Sequence, residues 1–269
     1  MRLDKKGEVD IIAPKESNGE FLWRYLNLHT LLDFIYSQEI HFARIDCFLD
    51  PLEGMRSSFL RRRHHFANHS DSIDTTLPLD NRETLANERK AFNYIEPKEF
   101  EEYQKSQFIS CWFHGNRESM AMWELYSSKD SVALKVKSSE LIDTISIAAQ
   151  DFIEKNGFRL HFMGSSIKYL KLNPFDPLLG PINLKYSSMK KDESFKHEQE
   201  YRFLISALKE WIKDEDIPFF KLKIQLNKLD FKIICHPLME EWKKKNIKKL
   251  IQNSDLNVQV HSSQIELRK

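Results

Sequence analysis

The sequence predicts an α+β fold with a mixed, mainly antiparallel sheet core and flanking helices. Predicted strands outnumber the long helices, and short connections separate many of them. The chain also lacks a G-x-G-x-x-G fingerprint and a G-x-x-x-x-G-K-[ST] phosphate loop. These three observations give no support to a Rossmann-type or P-loop fold, and they favour strands that pair antiparallel.

The first part of the chain predicts two strand–helix–strand units. Aromatic and alternating apolar residues mark the strands, and apolar residues at helical spacing mark the helices. In the second unit, Ser138 is placed to cap the helix that follows. The predicted bounds are Phe21–Leu26, Leu31–Ile35 and Ile40–Ile45 before the Asp50-Pro51 turn, then Phe108–Phe113, Glu118–Tyr126 and Ser131–Val136.

The second part predicts further strands and one amphipathic helix. One or two strands are expected around Gly164, and a clear strand is expected over Glu198–Ile205. Prolines 174 and 177 mark a loop between them. The remaining predicted elements are strands at Phe219–Leu226, Phe231–Cys235 and Leu256–Val260, and a helix with a lysine face at Met239–Ile251.

Residues 56–105 are predicted to form a helical insertion or lid within a single domain spanning residues 1–269. A basic, His-bearing run gives way there to Ser, Asp and Thr and then to alternating charges. His64, His65 and His69 could meet on a helix, but the charges of Arg61–Arg63 would oppose a bound dication. The sequence therefore predicts no metal site, and contact with nucleic-acid phosphate or a solvated surface helix are the alternatives for this cluster.

Composition and charge limit the expected partners and location. With 41 basic and 40 acidic residues, the formal charge is +1, so no global field draws the chain to nucleic acid or to a membrane. Three widely spaced cysteines suggest free thiols in a reducing compartment. The N-terminus has no apolar signal core, and no run of about 18 apolar residues occurs. We therefore predict a cytoplasmic protein with no membrane association.

The most informative segment for chemistry is the predicted strand that contains Glu198, Glu200 and Arg202. Period-two geometry places these three side chains on one face and Tyr201, with other apolar residues, on the other. Two carboxylates about 7 Å apart along a strand can divide labour between stabilising positive charge and activating a nucleophile. The alternative is an ordinary half-buried strand whose outer face alternates acids and bases.

Two further features could bind a ligand. Trp123 and Tyr126 are three residues apart on a predicted helix, so they could form an aromatic wall for a planar ring, or simply belong to the core. Arg24 lies within an aromatic strand and needs an anionic partner. That partner is either an internal carboxylate, Asp50 or Glu53, or the phosphate or ribose of a ligand.

Several motifs follow one another along the chain: Trp23–Leu26, Ile40–Phe42, Asp50–Glu53, Met122–Tyr126 and His197–Arg202. Their order and spacing resemble the prokaryotic domain-of-unknown-function family numbered 2971. The resemblance extends from about Phe21 to Leu267, and Leu49 stands where that family is expected to carry the Asn of an Asn-Asp-Pro.

That family looks similar to ADP-ribosyltransferases, and the resemblance implies an NAD-dependent transferase. It would place Arg24 on the NAD phosphate or ribose, Tyr126 and Trp123 against nicotinamide, Glu200 as the catalytic acid, and Glu198 as the residue that activates the acceptor. It also implies a macromolecular acceptor, and a toxin or phage-defence role with an antitoxin or chaperone. NAD hydrolysis and a non-catalytic ligand-sensing or interaction protein are the alternatives. We expect Glu200→Gln to slow catalysis roughly a hundredfold with little effect on folding.

Overall fold

A computed structural model describes residues 7–14, 19–50, 53–54, 84, 96–156, 160–170, 184–207 and 218–267. The helices are α1 (Leu28–Ser37), α2 (Glu96–Lys105), α3 (Met120–Tyr126), α4 (Ser138–Asn156) and α5 (Glu241–Gln252). The strands are β1 (Glu8–Ile11), β2 (Phe21–Leu26), β3 (Glu39–Arg44), β4 (Gln107–His114), β5 (Val132–Lys137), β6 (His161–Ser166), β7 (Lys168–Leu170), β8 (Lys190–Asp192), β9 (Glu200–Ser206), β10 (Phe219–Lys223), β11 (Phe231–Cys235) and β12 (Gln259–Ser262).

Ten of the described strands form one mainly antiparallel sheet, which confirms the α+β class. Eight of its strands follow the order β1-β6-β9-β4-β2-β5-β11-β12. The other two branch from β4: β3 pairs with β4, and β10 pairs with β3. The β1–β6 and β11–β12 pairs are parallel, and β7 and β8 form a separate parallel pair. Within the described ranges, no helix has the length and apolar character that a bilayer crossing requires.

The sheet divides along β4. One edge of β4 pairs with β9 over residues 107–113. The other edge is shared: β3 pairs with Phe108 and Ile109, whereas β2 pairs with Phe113 and His114. Residues 110–112 therefore face an opening where β2 and β3 diverge, and this opening determines where a ligand can reach the sheet.

Helices cover the largest apolar face of the sheet. Leu22 and Leu26 of β2 pack there with apolar residues of α1, α4 and the outer strands. Two smaller apolar clusters lie elsewhere, one around Trp23 and Trp123 beneath α3, and one around Ile109 and neighbouring residues of β6 and β9. Because the alternate residues of β2 belong to different clusters, this strand contributes side chains to both faces.

Most predicted elements are present, and one boundary near the candidate site differs. The strand predicted from Glu198 begins at Glu200, because Glu193–Glu198 forms a 3-10 helix and Gln199 adopts a left-handed conformation with φ of 41°. The N-terminal strand β1 and the short strand β8 were not predicted. Of the predicted insertion at 56–105, α2 is described, and the His64, His65 and His69 cluster lies outside the described residues.

Candidate functional site

The opening between β2 and β3 contains a cavity of about 270 Å³. Four of the five predicted site residues line it: Arg24, Tyr126, Glu198 and Glu200. Arg24 points to the same face of the sheet as Leu22 and Leu26, whereas Glu200 points to the other face. The two side chains line one cavity only because the sheet is open there. The rest of the lining is Trp23, Tyr25, Ala43, Phe48, Ile109, Cys111, Trp112, Phe113, Met122 and Lys191.

A buried ion-pair network lies behind one wall of this cavity and reaches it through Glu200. The Arg202 guanidinium is fully buried and donates to both Glu200 oxygens, from Nε to Oε1 at 2.6 Å and from Nη2 to Oε2 at 3.0 Å. It also donates to both Glu53 oxygens, at 2.5 and 3.0 Å. One arginine therefore holds two carboxylates, and a buried charged group of this kind is stable only when its partners are present.

The environment of Glu200 keeps this carboxylate ionised. Burial, the largest single influence, opposes ionisation, but the charge and hydrogen bonds of Arg202, together with Lys191, outweigh it and lower the pKa of Glu200. The Cys111 thiol also hydrogen-bonds Glu200, and burial followed by the Glu200 charge raises the pKa of this thiol well above its ordinary value. Glu200 is thus a fixed anion, and Cys111 is a neutral thiol beside it.

Glu198 belongs to the same wall but has different partners. Its Oε2 accepts from the Lys191 ammonium at 2.6 Å, and its Oε1 accepts a short hydrogen bond from the Tyr126 hydroxyl. Burial and then the Glu198 hydrogen bond raise the pKa of Tyr126, so its hydroxyl keeps the proton that it donates. Lys191 also lies 3.9 Å from Glu200 Oε2, which connects the two carboxylates through one cation.

Local backbone features direct both carboxylates into the cavity. Asp192 caps the 3-10 helix by accepting from Ser194 N, and the left-handed Gln199 then turns the chain into β9. The Gln199 carbonyl accepts from His114 N, and Glu200 N donates to the Tyr169 hydroxyl at 2.7 Å. The helix end and the strand start are thereby tied to neighbouring strands, which holds the two acids rigidly.

Arg24 supplies a cation without a carboxylate partner in the described part of the chain. Its Nη2 donates to the His41 carbonyl at 2.9 Å, and its guanidinium lies 5.5 Å from the centre of the Trp112 ring. Burial lowers the pKa of Arg24 to about 10, so it is still charged at neutral pH. The sequence also allowed an internal ion pair of Arg24 with Glu53 or Asp50. Glu53 instead pairs with Arg202, and no contact joins Arg24 to Asp50 within the described residues.

The helix α3 presents Met122 and Tyr126, rather than Trp123, to the cavity. Ser119 caps α3, and Trp123 turns towards the sheet, where its ring packs edge-on against Tyr25 at 4.8 Å. The Trp123 indole donates to Glu118 at 2.8 Å, and the side chain is fully buried. The two residues of α3 that face the cavity are therefore Met122 and Tyr126, four positions apart, and not the predicted pair Trp123 and Tyr126. Trp123 packs in the core beneath them.

Several residues of this site were not predicted from the sequence. Glu53 appeared only as a partner for Arg24, and Lys191 and Cys111 were not identified as site residues. Lys191 lies seven positions before Glu198, a spacing that is not typical of any regular element. The 3-10 helix between them brings the two side chains together. The pairing of Glu200 with Arg202 was foreseeable, since residues two apart on a strand share a face.

A larger cavity, of about 880 Å³, lies between α1, α4 and the end of α5. The charged side chains that line it, Asp151, Lys155, Lys223, Lys228 and Asp255, are all exposed. Buried, paired charges mark functional sites more often than solvated ones do. We therefore assign the candidate site to the smaller cavity at the sheet opening.

The Glu200–Arg202 pair makes a specific prediction for acid stability. Because the folded-state pKa of Glu200 is lowered, its stabilising contribution is complete above the ordinary value of 4.5 and is lost as pH falls through the lower folded-state pKa. The difference in free energy of unfolding between wild type and Glu200→Gln should hence shrink on acidification below about pH 4.5. Urea unfolding of both proteins from pH 7 to pH 3 measures it, and a constant difference would rule out this linkage.

Comparison with known proteins does not identify this site. No family model matches the sequence, and no curated protein matches it.

Proposed function

We propose that this protein binds NAD at the sheet opening, breaks the bond between nicotinamide and ribose, and transfers ADP-ribose to a macromolecule. The observation that carries the proposal is the meeting of Arg24, Tyr126, Glu198 and Glu200 around one aromatic-lined cavity. These residues belong to motifs that resemble family 2971 and, through it, ADP-ribosyltransferases. Under this proposal, the protein acts in the cytoplasm as a toxin or phage-defence effector.

The charge of the cavity wall suits this chemistry. Three carboxylates, those of Glu53, Glu198 and Glu200, are bonded to two cations, Arg202 and Lys191, so this network carries one net negative charge. The Arg24 cation, which lines the same cavity without being bonded to the network, balances that charge overall. The nicotinamide ring of NAD is cationic, and its departure leaves a sugar with oxocarbenium character. A preorganised anion in a buried site stabilises both species, and most strongly the developing cation.

The size and lining of the cavity support one end of NAD as its occupant. A volume of about 270 Å³ lies at the lower limit of ordinary ligand cavities, which suits a ring with its sugar better than a whole dinucleotide. Trp112, Phe113 and Tyr25 supply flat apolar surface for the ring. Arg24 supplies the cation for a phosphate or ribose oxygen.

The two acids have separate roles in this proposal. Glu200, fixed by Arg202, stabilises the ribosyl cation. Glu198 acts with Tyr126, whose side chain is half exposed and connects the buried carboxylate to the surface, where an acceptor arrives. Glu198 activates that acceptor. NAD hydrolysis is the second candidate, because water can reach the ribosyl cation by the same route, and the nature of the product distinguishes the two.

Removing the Arg24 cation should weaken NAD binding without unfolding the protein. Loss of a charge-assisted hydrogen bond to the ligand corresponds to about 1.5–3 kcal/mol, or roughly a 10- to 100-fold higher Kd for Arg24→Met. Arg24 has no carboxylate partner among the described residues, so the free energy of unfolding should change by less than about 1 kcal/mol. Calorimetric titration with NAD measures the effect.

A conservative control separates charge from shape at this position. Arg24→Lys keeps the positive charge but loses the planar donor geometry, so its Kd should lie between those of wild type and Arg24→Met. Equal NAD affinity in all three proteins would remove Arg24 from the binding site.

A further inference from the structure

A third cavity, of about 180 Å³, lies on another side of Trp23. Trp23 lines both this cavity and the cavity at the sheet opening, but no acidic residue of the sheet-opening cavity lines this one. Basic side chains from four separate parts of the chain line it, and Glu118 is the one carboxylate among the lining residues that the structure describes. We call it the basic cavity, after Arg117, Lys135, Lys232 and His261.

Two lysines of the basic cavity face each other across neighbouring strands. Lys135 of β5 and Lys232 of β11 are directly opposed in the antiparallel register. Like charges at such positions destabilise a sheet. Burial, and then the Lys232 charge, lower the pKa of Lys135. The pair therefore carries an electrostatic cost, which the Glu118 charge offsets in part and which a bound anion would lower further.

The described residues provide little compensation for these charges. The Lys135 ammonium contacts the ring faces of Phe21 at 3.9 Å and Trp23 at 5.0 Å, and it has no hydrogen-bond acceptor within the described ranges. Arg117 and Lys232 likewise have no ion pair there. Within the part of the chain that the structure describes, three cations and one carboxylate therefore line the cavity.

That carboxylate is already occupied by other donors. Glu118 Oε2 accepts from the Trp123 indole at 2.8 Å and from the Ser263 hydroxyl at 2.7 Å. Its Oε1 accepts from Gln264 N at 2.6 Å. Glu118 holds the C-terminal segment in place and leaves the lysine ammonium groups without a direct partner.

We infer that the basic cavity is a binding site for a phosphate group. The excess of two positive charges matches the charge of a phosphate, whose oxygens accept hydrogen bonds from several ammonium and guanidinium donors. A volume of about 180 Å³ accommodates a phosphate or diphosphate and is small for a nucleotide. The phosphate belongs either to a separate ligand or to a dinucleotide. Such a dinucleotide would extend past Trp23 into the cavity at the sheet opening.

Titration of the whole protein with inorganic pyrophosphate, followed by calorimetry at low ionic strength, tests this site. Lys135→Met retains the apolar stem against Phe21 and Trp23 but removes the charge. We expect at least a tenfold higher Kd for this variant and for Lys232→Gln, whose side chain is exposed and whose replacement leaves folding intact. Lys248→Gln removes an equally exposed lysine from α5, outside the basic cavity, and should bind like wild type.

Two results would overturn the proposal: no pyrophosphate binding by the wild-type protein, or equal binding by wild type and Lys232→Gln. Competition identifies the source of the phosphate. If NAD displaces pyrophosphate, the site holds the diphosphate of the dinucleotide. If both bind together, the site serves a separate phosphate ligand. Neither outcome depends on nicotinamide release, so the site stands or falls independently of the proposed reaction.

Discussion

Replacing Arg202 with methionine is expected to lower the free energy of unfolding by about 3–5 kcal/mol. The substitution leaves the Glu53 and Glu200 carboxylates buried without their shared cation, and removal of one partner from a buried ion pair has this magnitude. Urea denaturation at pH 7, monitored by tryptophan fluorescence, measures the change. A loss below about 1 kcal/mol would show that the network contributes little to the fold.

Two controls separate buried charge from lost packing. Lys243→Met removes the cation of a surface ion pair with Asp130 and should leave the free energy of unfolding nearly unchanged. Combining Arg202→Met with Glu53→Gln and Glu200→Gln neutralises the network and should recover most of the lost stability. If the triple variant is as unstable as Arg202→Met alone, the cost comes from shape and not from uncompensated charge.

Replacing Glu200 with glutamine is expected to slow nicotinamide release about a hundredfold. The change keeps the side-chain shape and removes the anion that we propose to stabilise the ribosyl cation, an effect of about 3 kcal/mol. It also weakens the hydrogen bonds from Arg202, so the free energy of unfolding should fall by about 1–3 kcal/mol. From the sequence alone, Glu200→Gln was expected to have little effect on folding; the hydrogen bonds to Arg202 lead us to expect this loss of stability instead. Rates should be compared well below the unfolding transition of each protein.

Glu198→Gln is the matched variant for this comparison. It removes a carboxylate from the same wall, but one bonded to Lys191 and Tyr126 instead of Arg202. We expect it to impair labelling of an acceptor while retaining part of the nicotinamide release, because Glu200 still stabilises the cation. Equal losses of release in the two variants would contradict separate roles for the two acids.

The sequence predicted the parts of this fold that depend on local pattern. Alternation in β9 placed Tyr201, Phe203 and Ile205 in the main core, where all three lie. The strand at Phe21–Leu26 has the predicted bounds, and Ser138, which was expected to cap α4, is the first residue of that helix. Period-two and helical spacing are properties of neighbouring residues, so a single sequence reveals them.

The remainder depended on contacts between distant parts of the chain. The opening between β2 and β3 arises because both strands share one edge of β4, and no residue spacing reveals such sharing. The choice of Glu53 as the second partner of Arg202 joins positions 149 residues apart. The left-handed Gln199 was equally hidden, because glutamine has no particular preference for that conformation.

We propose that the protein cleaves NAD in the cavity at the sheet opening, with Glu200 as the stabilising anion. The most direct test measures nicotinamide release from NAD by the folded wild-type protein and by Glu200→Gln, with mixed protein and nucleic-acid acceptors present. We predict release by the wild type and a rate about a hundredfold lower for the variant. No release by the wild type, or equal release by both folded proteins, would contradict the claim.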